Sequence, residues 1–273
     1  MAAEQDKDMT FLDHLEEFRF RLVRIVIAIA VGAITIFIFS KWVFENIIFG
    51  PSKPEFIAYE MWCGLSHLIG LGDKLCAQKF GFILINTEVM GQFTADILVS
   101  MVGGVVVAFP FIFYQIWGFV KPGLRKSELK SVQGINFFVA LLFFGGVLFG
   151  YYIISPLSLQ FLGNYQVGVG EVDNTIRLNS YMKLIVSIAL ASGLIFQLPV
   201  VIYFLSKVGL VTPEILIKYR KHALVGVLIL SAIITPPDLT SQLLVAFPVF
   251  LLYQVSIVIS RRVNRRRKAE MQD

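Results

Sequence analysis

The chain has 273 residues, of which 56% are hydrophobic and 16% charged, with a formal net charge of +5. A soluble domain of this length carries about 25% charged residues, so a soluble globular protein is excluded. The basic residues cluster at the ends of apolar stretches, where membrane topology and anionic lipid account for them, and nucleic acid is not an expected partner.

The first predicted element is an amphipathic arm over residues 10–21. Thr10 with Asp13 suits a capping box. Phe11, Leu15, Phe18 and Leu22 then recur at helical spacing as one apolar stripe. Glu17, Arg21 and His14 share one flank, Asp13 lies further round, and Arg19 falls on the opposite side. The arm is expected to lie in the membrane interface and to lead directly into the first span. Its mixed charge, and the absence of a small-residue site at Ser40-Lys41-Trp42, argue for an uncleaved first helix.

A bilayer core is crossed by roughly 20 apolar residues in a helix. Six stretches qualify as candidates: Leu22–Phe39, Ile97–Val120, Ile135–Leu157, Leu184–Ser206, Ala223–Ile234 and Leu243–Ile259. Lysine and arginine number 4 in the arm up to Arg24, 4 in residues 121–134, 4 in 207–222 and 6 in the tail 261–273, which is 18 of the chain's 24. Short positive segments stay cytoplasmic. The expectation is an all-α, polytopic membrane protein in one integral domain, residues 1–273, with six transmembrane helices and both termini inside. The basic tail reads as a topological anchor.

The connection 40–96 is the one long one, and the charge count puts it outside as a periplasmic loop or cap. Gly50-Pro51-Ser52-Lys53-Pro54 breaks it, and Met61–Leu71 suggests an interfacial helix. Cys63 and Cys76 both fall here. An oxidising compartment favours a bridge between them, closing a loop of about 14 residues worth on the order of 3 kcal/mol. Free thiols, or a metal site with His67, are the alternatives, and the irregular spacing makes the metal the weakest reading.

Pro110, Pro156, Pro199 and Pro248 fall in four of the spans. Each removes a backbone bond and bends its helix, which together favours curved helices around a concave surface. The fifth stretch, Ala223–Ile234, is about 18 Å of helix against a hydrocarbon core of about 30 Å. The tight turn Pro236-Pro237-Asp238-Leu239 follows it. The last two helices should therefore form a short hairpin ending inside the membrane, with Asp238 and Gln242 at a costly depth.

Three motifs stand in order along this framework. The arm reads His14-Leu15-Glu16-Glu17-Phe18-Arg19-Phe20-Arg21-Leu22. The first basic loop reads Tyr114-Gln115-Ile116-Trp117-Gly118-Phe119-Val120-Lys121-Pro122-Gly123-Leu124, followed by Arg125-Lys126-Ser127-Glu128. The late turn reads Thr235-Pro236-Pro237-Asp238-Leu239-Thr240-Ser241-Gln242. Together they resemble the TatC family, the large subunit of the twin-arginine protein translocase, over about Thr10 to Ile259. The long cysteine-bearing loop is less typical of it.

The resemblance implies a receptor in the bacterial cytoplasmic (inner) membrane. It would bind twin-arginine signal peptides of folded cargo, work with single-span partners of the TatA and TatB type in a complex holding several copies, and use the proton-motive force. Carried onto this chain, Glu17 and Glu128 would read the two arginines. Arg19 on the arm, and Phe119 and Pro122 shaping the loop, complete the site. The chemistry is consistent: a guanidinium presents a planar fork that a carboxylate accepts in two parallel bonds, which a lysine cannot imitate. From spacing alone, Glu17 could equally pair with Arg21, and Glu128 could be a carboxylate at a helix start.

The resemblance also implies that Thr235 and Gln242 contact a partner helix at the short hairpin, while Asp238 suits a cap on the sixth helix. One departure stands out. Many family members carry a glutamate before the proline of the fourth span, and here the run is Phe196-Gln197-Leu198-Pro199. Gln197 is polar at membrane depth but cannot titrate; it serves either function or the carbonyls that Pro199 frees. Two other functions compete. An enzyme is disfavoured because no His-Glu-x-x-His, Gly-x-Ser-x-Gly or Walker A motif occurs, and no cofactor or metal is expected. A small-solute secondary transporter would need a midplane polar site and usually internal repeats, and no repeat is visible.

Overall fold

The computed structural model describes residues 11–68, 82–120, 135–165, 174–234 and 239–270. Among the described residues, five helical segments are long and apolar enough to cross a bilayer: Leu15–Ile38, Gly91–Phe119, Ile135–Asn164, Leu178–Val208 and Gln242–Arg265. Helices suit this setting because they bond every interior backbone group within the segment. A sixth, α10 (Arg220–Ile234), has 15 residues, about 22 Å of helix. It is three residues longer than the apolar stretch suggested but still too short for a full hydrocarbon core.

The arm and the first span form one rod, α1 (Phe11–Ile38). No proline or glycine interrupts residues 11–31, so nothing turns the arm aside into a separate interfacial helix. A short helix α2 (Ser40–Val43), a π turn (Phe44–Ile48), a 3-10 turn (Gly50–Ser52) and α3 (Ile57–Leu68) follow. They fold over one end of the bundle as a cap. Cys63 on α3 is disulfide-bonded, and the chain holds two cysteines; Cys76 lies outside the described residues.

Next come α4 (Gly91–Val120), α5 (Ile135–Phe149), α6 (Ser155–Asn164), α7 (Leu178–Ile195), α8 (Leu198–Val208) and α9 (Pro213–Lys218), before α10 and α11 (Leu239–Glu270). The all-α expectation needs one addition. β1 (Phe82–Ile85) pairs in parallel with β2 (Asn174–Arg177), Phe82 opposite Asn174 and Ile85 opposite Arg177. This ribbon ties the connection before α4 to the one before α7.

The expectation that both last helices are short also needs correction, because α11 runs 32 residues. Its apolar part is followed by arginines and a lysine, which are good helix formers and favour a helix C-terminus, so the basic tail continues the helix. The four prolines act differently. Pro110 and Pro248 sit inside unbroken helices. Pro156 follows a π turn over Gly150–Ile154, and Pro199 opens α8 after a break at Phe196-Gln197.

The cap end is locked by three tyrosine hydroxyls that donate to consecutive turns of the cap backbone. Tyr181 of α7 reaches the Ile48 carbonyl at 2.7 Å, Tyr59 of α3 reaches that of Pro51 at 2.7 Å, and Tyr151 bonds that of Ile47. These carbonyls lie in the π turn and the 3-10 turn, where the regular helical ladder ends. Burial, and then the neighbouring Tyr181, raises the Tyr59 pKa, which keeps the hydroxyl a donor. Phe56 closes the layer by stacking on Tyr152 with ring centroids 5.5 Å apart. At the other end, Ser206 of α8 bonds Ser260 of α11 at 2.7 Å, and Tyr253 donates to the Leu216 carbonyl of α9 at 2.7 Å.

The cap contacts generate a first prediction. Tyr59→Phe leaves the buried Pro51 carbonyl without its donor and should destabilise the protein by about 1–3 kcal/mol. Tyr114→Phe, at a side chain 56% exposed, should change stability by less than about 0.5 kcal/mol. Thermal unfolding of the two variants in detergent measures the difference.

Candidate functional site

α1 and α4 run antiparallel and touch backbone to backbone. A Cβ on Gly32 would lie 2.9 Å from the Gly104 carbonyl oxygen, and one on Gly104 would lie 2.5 Å from the Ala33 nitrogen. Such an approach needs glycine on both helices. The contact sets the register for the rest of the seam. Eleven residues toward the arm on α1 (32 − 21) and eleven along α4 (115 − 104) bring Arg21 beside Gln115, about 16 Å from the glycine contact.

There the Arg21 guanidinium is held on three sides. Its Nη1 donates to the Gln115 carbonyl at 3.3 Å. Its Nε and Nη2 donate to Glu17 Oε1 at 3.0 and 2.5 Å. Gly118 provides the seat, since a Cβ at that position would stand 2.1 Å from Nη1. One helical turn along, the Phe18 and Phe119 rings meet at 5.2 Å between centroids, which fastens the arm to the end of α4.

This leaves Glu17 half used. Oε1 takes both bonds from Arg21, while Oε2 is shielded from solvent and has no hydrogen-bond partner among the described residues. A buried carboxylate oxygen without a donor is costly. The Glu17 side chain also lines a recess of about 400 Å³ together with Glu16, Phe20, Arg21 and Arg24.

Of the residues assigned from sequence, Glu17 and Phe119 meet at this end of the α1–α4 seam. Arg19 is exposed, and two residues from Arg21 it points to the far flank. Glu128 and Pro122 lie outside the described residues, as do Thr235 and Asp238. The pairing of Glu17 with Arg21 is therefore present, and it supplies the carboxylate's orientation rather than exhausting it. The seat at Gly118 and the Gln115 carbonyl went unassigned in the sequence, although both stand inside the loop motif. A glycine in an otherwise apolar helix end was the available signal.

Gln197 sits at the break between α7 and α8, halfway down the bundle. Its Nε2 donates to the Val139 carbonyl of α5 at 3.1 Å, so it serves a neighbouring helix rather than the carbonyls freed by Pro199. Its Oε1 is buried and unpartnered among the described residues. At the hairpin, Gln242 Nε2 donates to the Leu228 carbonyl at 3.1 Å and ties α11 to α10. Among the described residues no cluster of three or more His, Cys, Asp or Glu could hold a metal ion.

Comparisons with known proteins place the chain in a family. Residues 13–248 match the family profile for Sec-independent protein translocase protein (TatC). A protein of that name from Blattabacterium sp. subsp. Periplaneta americana is 35% identical over 268 residues, covering 96% of this chain and 99% of its own. Another from Aquifex aeolicus is 33% identical over 262 residues, covering 95% and 98%. A crystal structure of the twin-arginine translocase receptor TatC superposes with a TM-score of 0.68 at 31% identity, over 92% of this chain and 99% of that one. A second, determined in DDM, gives 0.72 at 31% identity over 90% and 99%.

The seam predicts two unequal glycine effects. Gly104→Ala meets backbone atoms that cannot step aside and should destabilise by about 1–3 kcal/mol. Gly118→Ala meets only the tip of Arg21, which can swing away, and should cost about 1 kcal/mol or less. Thermal unfolding ranks the two, and the reverse order would contradict the packing described.

Proposed function

The chain belongs to the TatC family of Sec-independent protein translocase proteins, and on that premise we propose how its arm end works as a signal-peptide receptor. It is the receptor component of a twin-arginine translocase, a multi-pass protein of the bacterial membrane and a transport subunit. The solute-transporter alternative is set aside by the family and by the relatives. In this reading Glu17 accepts one guanidinium of an arginine pair on Oε2 while Arg21 holds Oε1. Glu128, from the segment that follows α4, accepts the other. Phe119 and Pro122 shape that segment, while Arg19, exposed on the opposite flank of the arm, stands apart from this contact.

The observation that carries the reading is the Glu17 carboxylate, whose Oε2 has no partner among the described residues and which lines a recess with Glu16, Phe20 and Arg24. The charge distribution supports a cytoplasmic arm and tail, and the disulfide at Cys63 supports a cap on the oxidising side, with Cys76 as its partner. Proton-motive force as the energy source, single-span partners of the TatA and TatB type, and several copies of this chain per complex belong to the same proposal and are carried over by resemblance to the family. The short α10–α11 hairpin is the place for a partner helix, with Thr235 and Gln242 facing it and Asp238 capping α11. Gln197 acts at a later stage than recognition, since it sits at the α7–α8 break on the Val139 carbonyl rather than at the arm.

Glu17→Ala and Glu128→Ala should each weaken binding of a twin-arginine signal peptide by about 1.5–3 kcal/mol, the value of a charge-assisted bond. Titration of the purified receptor with a fluorescent peptide reads this directly. Unchanged affinity in both variants would defeat the reading. Gln197→Leu should leave that affinity intact and impair transport of pre-bound cargo in membrane vesicles; loss of binding with normal transport would count against its assigned stage.

A further inference from the structure

A recess of about 490 Å³ opens at the cap end, between the α2 and π-turn stretch and the start of α4. Small-molecule sites hold about 300–1,000 Å³. Its polar lining is Ser40, Lys41, Glu45, Asn86, Gln92 and Asp96. The three charged side chains form no ion pair among the described residues. Asp96 accepts the Ser100 hydroxyl at 3.4 Å. Lys53 reaches the backbone carbonyl of Glu45 and leaves its carboxylate open. Glu17 and Ile38 stand 21 residues apart (38 − 17) on the unbroken α1, about 32 Å, against a hydrocarbon core of about 30 Å. The recess just beyond Ile38 therefore lies at headgroup level on the membrane face opposite the arm. Phe39, Trp42 and Phe93, sequence neighbours of its lining, are each more than half exposed, and exposed aromatic rings mark this level of a bilayer.

We propose that this recess holds the headgroup of a phospholipid with a primary ammonium, of the phosphatidylethanolamine type. Charge complementarity is the argument. Lys41 offers a cation to the lipid phosphate. Glu45 and Asp96 offer carboxylates to the lipid ammonium, whose three N–H donors make charge-assisted bonds. One cation against two carboxylates leaves the lining negative by one charge. A purely anionic headgroup meets that surplus of like charge, and a choline headgroup has no N–H for the carboxylates. Lys41 opposes a bare divalent cation. The exposed rings beside the recess give acyl chains a place to lie, which a soluble zwitterion would not use. The helix dipole accounts for a carboxylate in the first turns of α4, but not for Lys41 and Glu45 lining the same recess. A lipid seated there bridges the α2 stretch to α4 and pins the cap to the bilayer surface.

The test is lipid retention by the full chain, purified in detergent and stripped of residual lipid. Phosphatidylethanolamine, phosphatidylcholine or phosphatidylglycerol is added at matched concentration, and native mass spectrometry counts the lipids that stay bound. Phosphatidylethanolamine should bind about tenfold more tightly than either of the others. Glu45→Gln combined with Asp96→Asn leaves Lys41 as the sole charge in the recess. It should erase that preference and raise phosphatidylglycerol above phosphatidylethanolamine. Equal retention of the three lipids by the unsubstituted chain, or a phosphatidylethanolamine preference that survives the double substitution, overturns the proposal. A second measurement needs no substitution. Phosphatidylethanolamine with a diazirine at the glycerol end of one acyl chain is photolysed in vesicles of phosphatidylglycerol containing the full chain. Adducts within residues 39–49 or 84–97, competed by excess unlabelled phosphatidylethanolamine and not by phosphatidylcholine, are the expected result. Adducts spread evenly over the spans, or confined to the basic end at 207–222, overturn it.

Discussion

The contact between Gly32 and Gly104 is the constraint on which the arm end depends. Two helices that meet backbone to backbone at one point cannot slide along each other without a collision. That register carries Arg21 to the Gln115 carbonyl, and Arg21 in turn orients Glu17. The chain of cause runs from two missing side chains to the direction of one carboxylate. The rod-like continuity of α1 matters for the same reason. A hinge between arm and span would uncouple the glycine contact from the recess, and nothing between residues 11 and 31 supplies one.

The two ends of the molecule are built to opposite purposes. At the cap end, tyrosines from three elements bond carbonyls in the cap's π and 3-10 turns, and a parallel ribbon ties the two connections there. At the arm end a shielded carboxylate oxygen has no partner, and an apolar face lies open beside it. A membrane protein can keep polar groups in hydrocarbon only where protein satisfies them. Gln197 obeys this with one atom, on the Val139 carbonyl, and leaves the other unsatisfied. Unsatisfied polar atoms persist where a ligand, a water or a partner completes them. The open oxygens of Glu17 and Gln197 both belong to residues that the family motifs single out.

Much of this was legible in the sequence, and the residues explain which parts were not. Apolar runs and charge counts locate the spans, and Pro236-Pro237 marks the end of α10 at Ile234. The apolar run starts that helix too late because Arg220 and Lys221 are charged, yet charged residues extend a helix readily beyond the hydrocarbon. The same effect hides the length of α11, whose basic tail remains helical through Glu270. The β1–β2 ribbon is invisible in the sequence because Phe82–Ile85 is only four residues long and its partner lies about ninety residues away. The arm motif points to Glu17, and its pairing with Arg21 is foreseeable from spacing. What no spacing rule could give is Gly118 as the seat of that arginine, because the contact joins residues on two helices and depends on the glycine pair elsewhere on the seam.

The central claim is that Glu17 grips a ligand guanidinium with the oxygen that Arg21 leaves open. A solid-state NMR dipolar distance would measure it most directly, between the Glu17 carboxyl carbon and guanidinium nitrogens labelled only in the signal peptide, with receptor and peptide in lipid. The account predicts a separation of about 3–4 Å, the span of a charge-assisted hydrogen bond plus one C–O bond, with the Arg21 contact retained. No coupling between the two labels in the fully bound complex would contradict it.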